Sequence, residues 1–392
     1  MVADVVIFGG GVAGLWLLDE LHRRGYGVVL LEADSLGSGQ TIASQGIIHG
    51  GLKYTLDGLL HSAAVAVSAM PGVWRDCLAA RREPDLSGTA MRGDWCALWR
   101  TRSMRSRLGM LGARGGLQVR PRRLARSERP EALAGCPGDV FRIDEPVVSP
   151  RSVLEVLASR HAGRLLRVGK CQFEHGAGGR VTAVACEEES GERRALVIRP
   201  DHVVLAAGRG NSDLRAALGL RSGAAQLRPL HMVMMRGRLP ALNGHCVDAA
   251  HTRLTITSER DPAGRMVWQV GGQVSEDGVS MDSSELVAHA RREVQACIPA
   301  LELADVEWAT YRVDRAESAA GGRRPNTESV LEEGNVITAW PTKLALAPRL
   351  AQRILERLGA PRWGSIEGVA PKWPRPAVAP NPWETATWRR VN

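Results

Sequence analysis

Three kinds of hydrophobic pattern alternate along this chain. The first is the short unbroken apolar run, seen at Val5–Phe8, Val28–Leu31 and Val203–Leu205. Runs of this length suit strands buried on both faces of a parallel sheet. The second is helical spacing. Ala13, Leu17, Leu18 and Leu21 give one apolar face directly after the first run, and Val153, Val156, Leu157 and Leu165 do so within Ser152–Leu166. Leu346–Leu358 reads as a further helix. Residues 59–145 read as mostly helical, with Pro71-Gly72 starting or breaking a helix. The third is alternation. Leu230–Met235, Leu254–Thr257 and Met266–Val270 alternate apolar and polar positions, which predicts an antiparallel sheet, interrupted by a helix at Ser284–Ala296. Leu166–Phe173, Val181–Cys186 and Arg194–Arg199 predict strands joined by turns, and Asn335–Ala339 one more short strand. The last residues, 359–392, are rich in Pro and Trp without periodicity, and predict an extended strap.

The join between the first two patterns carries chemistry. Gly9, Gly11 and Gly14 form G-x-G-x-x-G between a strand and a helix, and Glu32 closes the following strand. The first glycine permits a tight turn, the second lets backbone approach a diphosphate, and the third lets helix pack on strand. The helix N-terminus offers free N–H groups to the anion, and an acid at this spacing accepts ribose hydroxyls. These residues predict a βαβ dinucleotide site and leave NAD and FAD open. A second unusual stretch, Gln40–Tyr54, reads QTIASQGIIHGGLKY. Its paired glycines permit backbone close to a planar ligand, and His49 can donate or accept a hydrogen bond near neutral pH. Ala206-Ala207-Gly208 follows a buried strand, as a second close approach of backbone to a nucleotide requires.

Composition narrows the classes. A chain of 392 residues suits two interleaved domains. The net charge of +9 is carried by arginine, the only lysines being Lys53, Lys170, Lys343 and Lys372. The basic stretch Arg100–Arg129 lacks interleaved aromatics beyond Trp99 and matches no nucleic-acid module, so it reads as solvated surface. The 7 cysteines show no C-x-x-C pair, which predicts free thiols in a reducing cytoplasm and no metal site. No apolar stretch approaches a membrane span, and the N-terminus lacks the basic region of a signal peptide.

Taken in order, the glycine motif, Glu32, the small polar residues and Gly46-Ile47-Ile48-His49-Gly50-Gly51-Leu52-Lys53-Tyr54 resemble the D-amino-acid oxidase superfamily of FAD enzymes. The 40–54 stretch is most similar to its glycerol-3-phosphate dehydrogenase and L-2-hydroxyglutarate oxidase members, and glycine oxidase belongs to the same group. The resemblance implies an α/β fold: a Rossmann-like FAD-binding domain from residues 1–80, 146–224 and 318–358, interleaved with an α+β substrate domain from 81–145 and 225–317 containing an antiparallel sheet. Residues 359–392 stand outside it as an extension.

It also implies FAD as cofactor. Gly9, Gly11, Val12, Ala13, Gly14, Glu32 and Ala33 would hold the ADP half, with Val168 near the adenine and Ala207 and Gly208 as the second nucleotide turn. Thr41, Ser44, Gln45, Gly46 and His49 would lie near the isoalloxazine, and Pro341, Thr342, Lys343 and Leu344 would make the last flavin contact. The activity implied is an oxidase or dehydrogenase of a small, anionic, carboxylated hydroxy or amino acid. His49 is then the candidate base, Arg312 the carboxylate clamp ahead of Arg253 and Arg315, and Lys343 the cation at the reduced flavin; Tyr54, Tyr311 and Trp268 are candidate pocket walls, with core packing the default for Trp268. Two family patterns are altered. Ala339-Trp340-Pro341-Thr342-Lys343-Leu344 stands where relatives carry Gly-Gly-Lys-Leu-Thr-Thr, and Tyr311-Arg312-Val313 lacks the proline of an apolar-Arg-Pro triplet. A larger or tethered biosynthetic intermediate as substrate, and a basic nucleotide-binding module engaging RNA or a protein partner, remain the alternatives.

Overall fold

The computed structural model of the chain describes all residues except 52–66, 102–120, 189–194, 249–250, 324, 326, 365, 367–371 and 392. Among the described residues two large sheets organise the fold. The parallel core of the first runs in the order Ser329–Glu333, Val336–Trp340, Ala195–Leu205, Val2–Phe8, Val28–Glu32, Leu165–Arg167, with Ser329–Glu333 antiparallel at its edge. Val2–Phe8 lies at its centre, flanked by parallel partners on both sides. Its side chains alternate between two cores. Val5 and Ile7 face the helices Val12–Arg23, Pro150–Arg160 and Ala347–Leu355, while Val6 and Phe8 face the hairpin of Cys171–His175 and Val181–Glu187. Burial on both faces explains why the sequence here is an unbroken apolar run.

The second sheet runs Arg389–Arg390, Glu307–Ser318, Ala225–Gly237, Met266–Gly271, His251–Arg260, Gly244–Asp248, Cys96–Arg100, Val140–Ile143, Arg122–Arg123. One face carries Val233, Met235, Trp268, Val270, Ile256 and Trp99 beneath the helix Ser283–Cys297, which buries Leu286, Ala290 and Val294. That helix starts where Asp282 accepts from Ser284 and Glu285 N–H and Glu285 answers to the Asp282 N–H. The other face turns towards the residues that follow the glycine motif.

The expectation of a mostly helical 59–145 is overturned over its described part beyond residue 90. Met91–Gly93, Cys96–Arg100, Arg122–Arg123 and Val140–Ile143 are strands. Cys96–Arg100 pairs in parallel with Gly244–Asp248 and antiparallel with Val140–Ile143. Its five residues, CALWR, are too short to show a period, and the partner that fixes them lies some 150 residues away in the chain. Within 59–90 the described residues begin at 67, and a helix spans Met70–Leu78 with Pro71 in its first turn.

The tail runs along the parallel sheet and ends on the antiparallel one. Leu36 and Ala379 exchange backbone bonds with their neighbours (Leu36 N–H to the Ala377 carbonyl at 2.8 Å, Ala379 N–H to the Leu36 carbonyl at 3.0 Å). The Trp373 indole donates to the Arg167 carbonyl at 2.7 Å. Trp383 is buried against Met234, Val267 and Ala309, and Arg389–Arg390 pairs with Glu307 and Trp308. Among the described residues, no helix is long and apolar enough to cross a membrane.

Candidate functional site

The carboxyl ends of four parallel strands converge on one crevice. Phe8 leads into Gly9, Leu205 into Ala206-Ala207, Trp340 into Pro341, and Glu32 ends its own strand. Such a crevice, where neighbouring connections diverge, is where open α/β sheets bind ligands. Gly9 has φ +105°, and a Cβ there would sit 2.5 Å from the Ala207 Cα. A Cβ on Gly14 would land on the Gly9 carbonyl oxygen, whereas one on Gly11 would meet only the Thr41 hydroxyl, at 3.1 Å. Two glycines therefore permit the packing and the third faces open space, as a close-approaching diphosphate requires. Glu32 bridges the turn: Gly10 N–H donates to its Oε2 at 2.6 Å and Asp34 N–H to its Oε1 at 3.0 Å. Ala33 beside it is exposed, Val168 is buried with its N–H on the Glu32 carbonyl at 2.8 Å, and Thr41 Oγ1 accepts from Val12 N–H at 3.2 Å. Ala13 is buried in the first turn of that helix. Ala207 N–H is held by Asn211 Oδ1 at 2.8 Å, and Gly208 follows with φ +57°.

Residues 43–50 thread between the second sheet and the strand Val147–Val148. Gly46 takes φ +74°, with Val148 N–H on its carbonyl at 3.0 Å and Ile48 N–H on the Pro146 carbonyl at 2.9 Å. Gln45 Nε2 donates to the carbonyls of Thr255 at 2.8 Å and Gln269 at 2.9 Å. The fully buried Arg92 donates to the Gln45 carbonyl at 3.1 Å and to Gln269 Oε1 at 2.9 Å, pairs with Glu259 at 2.6 Å, and lies 5.4 Å from the centroid of the Trp383 ring. Burial lowers the affinity of its guanidinium for its proton, and Glu259 offsets part of that.

At the far end of the same loop, three side chains meet. His49 Nδ1 lies 3.3 Å from Glu145 Oε2, and Gly50 N–H donates to Glu145 Oε1 at 2.7 Å. His245 Nε2 stands 3.8 Å from Glu145 Oε2, its Nδ1 is 2.9 Å from Thr255 Oγ1, and the two imidazole centroids are 5.6 Å apart. Burial alone would raise the Glu145 carboxyl, but the approach of His245 and His49 outweighs it and holds the group well below the usual carboxylate range. Glu145 is thus a buried anion. No sequence signal marks it: it lies 96 residues from His49, in an Asp-Glu-Pro stretch that reads as a turn.

The last loop is equally enclosed. Thr342 is buried with φ +59°, a conformation rare for a β-branched residue. Pro341 precedes it, Lys343 is buried, and Leu344 opens the turn into the Ala347–Leu355 helix. Two hydroxyls along this crevice, Ser44 Oγ and Thr342 Oγ1, are buried with no hydrogen-bond partner among the described residues. Such orphaned groups, a glycine turn without room for Cβ atoms at Gly9 and Gly14, and a helix N-terminus whose N-cap, Gly11, has no side chain to cap it together fit a dinucleotide that supplies the missing partners.

Two candidate residues lie away from the crevice. Arg312 is exposed and donates to the carbonyls of Val279 at 3.0 Å and Met281 at 2.8 Å, on the helix-covered face. Strand alternation sends it there because its neighbour Tyr311 takes the crevice face, where it donates to the Ala43 carbonyl. Trp268 lies in the helix-covered core, its default placement, with its indole on the Pro240 carbonyl at 2.8 Å. The reserve arginines are also engaged, Arg253 with Glu293 at 2.7 Å and Arg315 with Glu276 at 3.3 Å. Lys53 and Tyr54 lie outside the described residues. In the basic stretch, Arg122 pairs with Glu128, and Arg100 and Arg123 both pair with Asp139.

Comparison with known proteins agrees with this geometry. A family profile described as DAO, FAD dependent oxidoreductase, matches residues 4–339. The chain is 40% identical over 390 residues, 98% of each chain, to "Probable FAD-dependent oxidoreductase PA4991" of Pseudomonas aeruginosa. The crystal structure of that Pseudomonas protein superposes with a TM-score of 0.83, covering 98% of both chains at 35% identity. More distant in sequence, glycine oxidase from Geobacillus kaustophilus shares the fold at 16% identity, with a TM-score of 0.66 over 94% of this chain and 97% of the other. L-alpha-glycerophosphate oxidase from Mycoplasma pneumoniae with FAD bound does so at 14% identity, with a TM-score of 0.62 over 97% and 99%.

Proposed function

The chain belongs to the FAD-dependent oxidoreductase family, and on that premise we propose that it oxidises a small carboxylated compound at a C–H bond beside a hydroxyl or an amine. Bound FAD supplies the hydride acceptor. The chain's own residues supply placement and proton handling. Glu32 and the glycine turn hold the ADP half, and the orphaned Ser44 and Thr342 hydroxyls, with Lys343, serve the flavin ring. Lys343 adds positive charge where the reduced ring gains negative charge.

The observation that carries the reading is the placement of His49. It stands on the loop that follows the nucleotide site, its Nδ1 against an anionic carboxylate. A carboxylate only accepts, so Nδ1 carries the proton and Nε2 is left to take one from a substrate hydroxyl. An amine substrate that arrives neutral needs no such transfer. The carboxylated character of the substrate draws support from glycine oxidase among the structural neighbours, not from Arg312.

The test is anaerobic mixing of the holoenzyme with a panel of 2-hydroxy acids and amino acids while the flavin absorbance is followed. Bleaching by one class is the expected result. A flavin that dithionite reduces and no panel member touches would refute the proposal. With a hydroxy acid, His49→Ala is expected to slow reduction by about 10²–10⁴-fold.

A further inference from the structure

We infer that Glu145 and His245 are positioning residues that fix the tautomer and orientation of His49, through a directed chain running from Thr255 to His245 to Glu145 to His49. The inference rests on the reading of His49 as the base.

The direction follows from which atoms can donate. Ionised Glu145 offers only acceptors. Its Oε1 is occupied by the Gly50 N–H at 2.7 Å, which locks the carboxylate to the backbone beside the histidine it serves. Its Oε2 faces His49 Nδ1 at 3.3 Å and His245 Nε2 at 3.8 Å. His49 Nδ1 lies within hydrogen-bond reach and presents N–H to the anion, which makes His49 the Nδ1–H tautomer; His245 Nε2, at 3.8 Å, is beyond a hydrogen bond and faces the anion across an electrostatic contact that the Nε2–H tautomer favours. His245 Nδ1 is then an acceptor, and the Thr255 hydroxyl 2.9 Å away is its donor.

The far end of the chain is anchored as well. The Thr255 carbonyl accepts from Gln45 Nε2 at 2.8 Å. The side-chain chain and the loop that carries His49 are therefore fixed to the same strand, and His49 cannot swing without breaking a buried contact. Of the three, His49 alone is partly open, its side chain 22% exposed against 2% for Glu145 and 4% for His245. The Gly50 amide and His49 Nδ1 supply the hydrogen bonds to the carboxylate, and His245 Nε2 adds an electrostatic contact from 3.8 Å.

The same three groups have ligand atoms within 4.8 Å of one another, so a divalent cation is the competing occupant. The two arrangements exclude each other. A cation on His49 Nδ1 would drive the proton to Nε2 and remove the base.

The experiment is long-range ¹H–¹⁵N correlation NMR on FAD-bound protein labelled with ¹⁵N-histidine, with His49 and His245 assigned from single substitutions. The expected result at neutral pH is His49 protonated on Nδ1 with bare Nε2, and His245 protonated on Nε2. Glu145→Gln keeps the volume, and a retained flavin absorbance shows that it folds; in it the His49 signals are expected to shift towards a mixture of tautomers. His245→Gln is expected to produce a smaller shift of the same kind. With whichever panel compound bleaches the wild-type flavin, Glu145→Gln should slow reduction about 100-fold with little change in apparent substrate affinity.

Overturning results are His49 protonated on Nε2 in the wild type, signals indifferent to Glu145→Gln, or protein that retains stoichiometric Zn²⁺ or Mn²⁺ and changes both histidine spectra on treatment with EDTA. A panel that fails entirely while the tautomers are as stated would remove the proposed substrate and leave the positioning chain standing.

Discussion

The Tyr311 hydroxyl donates to the Ala43 carbonyl at 2.9 Å, joining residues 268 apart in sequence, and it accepts from Gln269 Nε2 at the same distance. One phenol thereby ties the antiparallel sheet to the start of the loop that carries His49. Burial pushes its pKa well above the ordinary range for a tyrosine, so the hydroxyl keeps its proton and stays a donor. Tyr311→Phe leaves a carbonyl and an amide unsatisfied in the interior. The expected loss is about 1–3 kcal/mol in urea unfolding of the holoenzyme.

Glu32 gives the most direct test of the nucleotide half. Its two oxygens order the Gly10 and Asp34 amides, and it is the residue proposed to accept the ribose hydroxyls. Glu32→Ala is expected to weaken FAD binding by roughly 10–100-fold, the equivalent of one charge-assisted hydrogen bond lost. The flavin-to-protein absorbance ratio after gel filtration measures it.

Thr342 holds φ +59°, and its hydroxyl is buried without a hydrogen-bond partner among the described residues. Thr342→Gly is expected to raise the stability of the apoprotein by about 1 kcal/mol through relief of strain, whereas Thr342→Ala keeps the strain. Both are expected to weaken FAD by about fivefold, one neutral hydrogen bond. Thermal unfolding and FAD titration of the two variants separate backbone from hydroxyl.

Asp19 lies at 0% side-chain exposure between Arg23 at 2.6 Å, His161 at 3.0 Å and Arg160 at 3.2 Å. Burial would raise its carboxyl, but hydrogen bonds from His161 and Arg23 prevail, and the folded-state value falls below the ordinary 3.8. A depressed folded value stabilises the protein above the unfolded value and loses that contribution as the pH falls through the folded one. Asp19→Asn is therefore expected to cost about 3 kcal/mol at pH 7, and the gap between variant and wild type should close on acidification below the ordinary carboxylate range. Denaturant midpoints across pH measure it.

Cys171 and Cys186 face each other across an antiparallel pair, with sulfurs 3.3 Å apart. Hydrogen bonding to Cys186 lowers the Cys171 thiol, while burial pushes Cys77 up to about 12. Mild oxidation with glutathione disulfide is expected to join Cys171 to Cys186, two thiols yielding one disulfide and two molecules of glutathione. Peptide mapping should find that cross-link, with Cys77 still a free thiol.

The nucleotide half was legible in sequence because its physics is local. A buried strand, three glycines, a helix and an acid lie within residues 5–32, and each has a steric or electrostatic reason that holds before anything packs. Residues 40–51 belonged to the same class, since their small side chains and glycines pointed to a loop with closely packed backbone, as Gly46 at φ +74° shows. The altered end loop was visible as a departure, but its consequence, a threonine forced to positive φ, was not.

What the tertiary structure decided is direction and company. Arg312 has a suitable chemistry and an adjacent motif, yet a single step of strand alternation points it at the carbonyls of Val279 and Met281 and gives Tyr311 the crevice face. The short strands after residue 90 carry no period because distant partners define them. Glu145 and His245 carry no motif at all. Their meeting with His49 depends on the register of Gly244–Asp248 against His251–Arg260 and on the passage of the chain through Pro146, long-range geometry that no window of sequence contains. The sequence determined a dinucleotide fold and one histidine beside it; packing alone determined which groups hold that histidine, because burial and register act between residues that the chain keeps far apart.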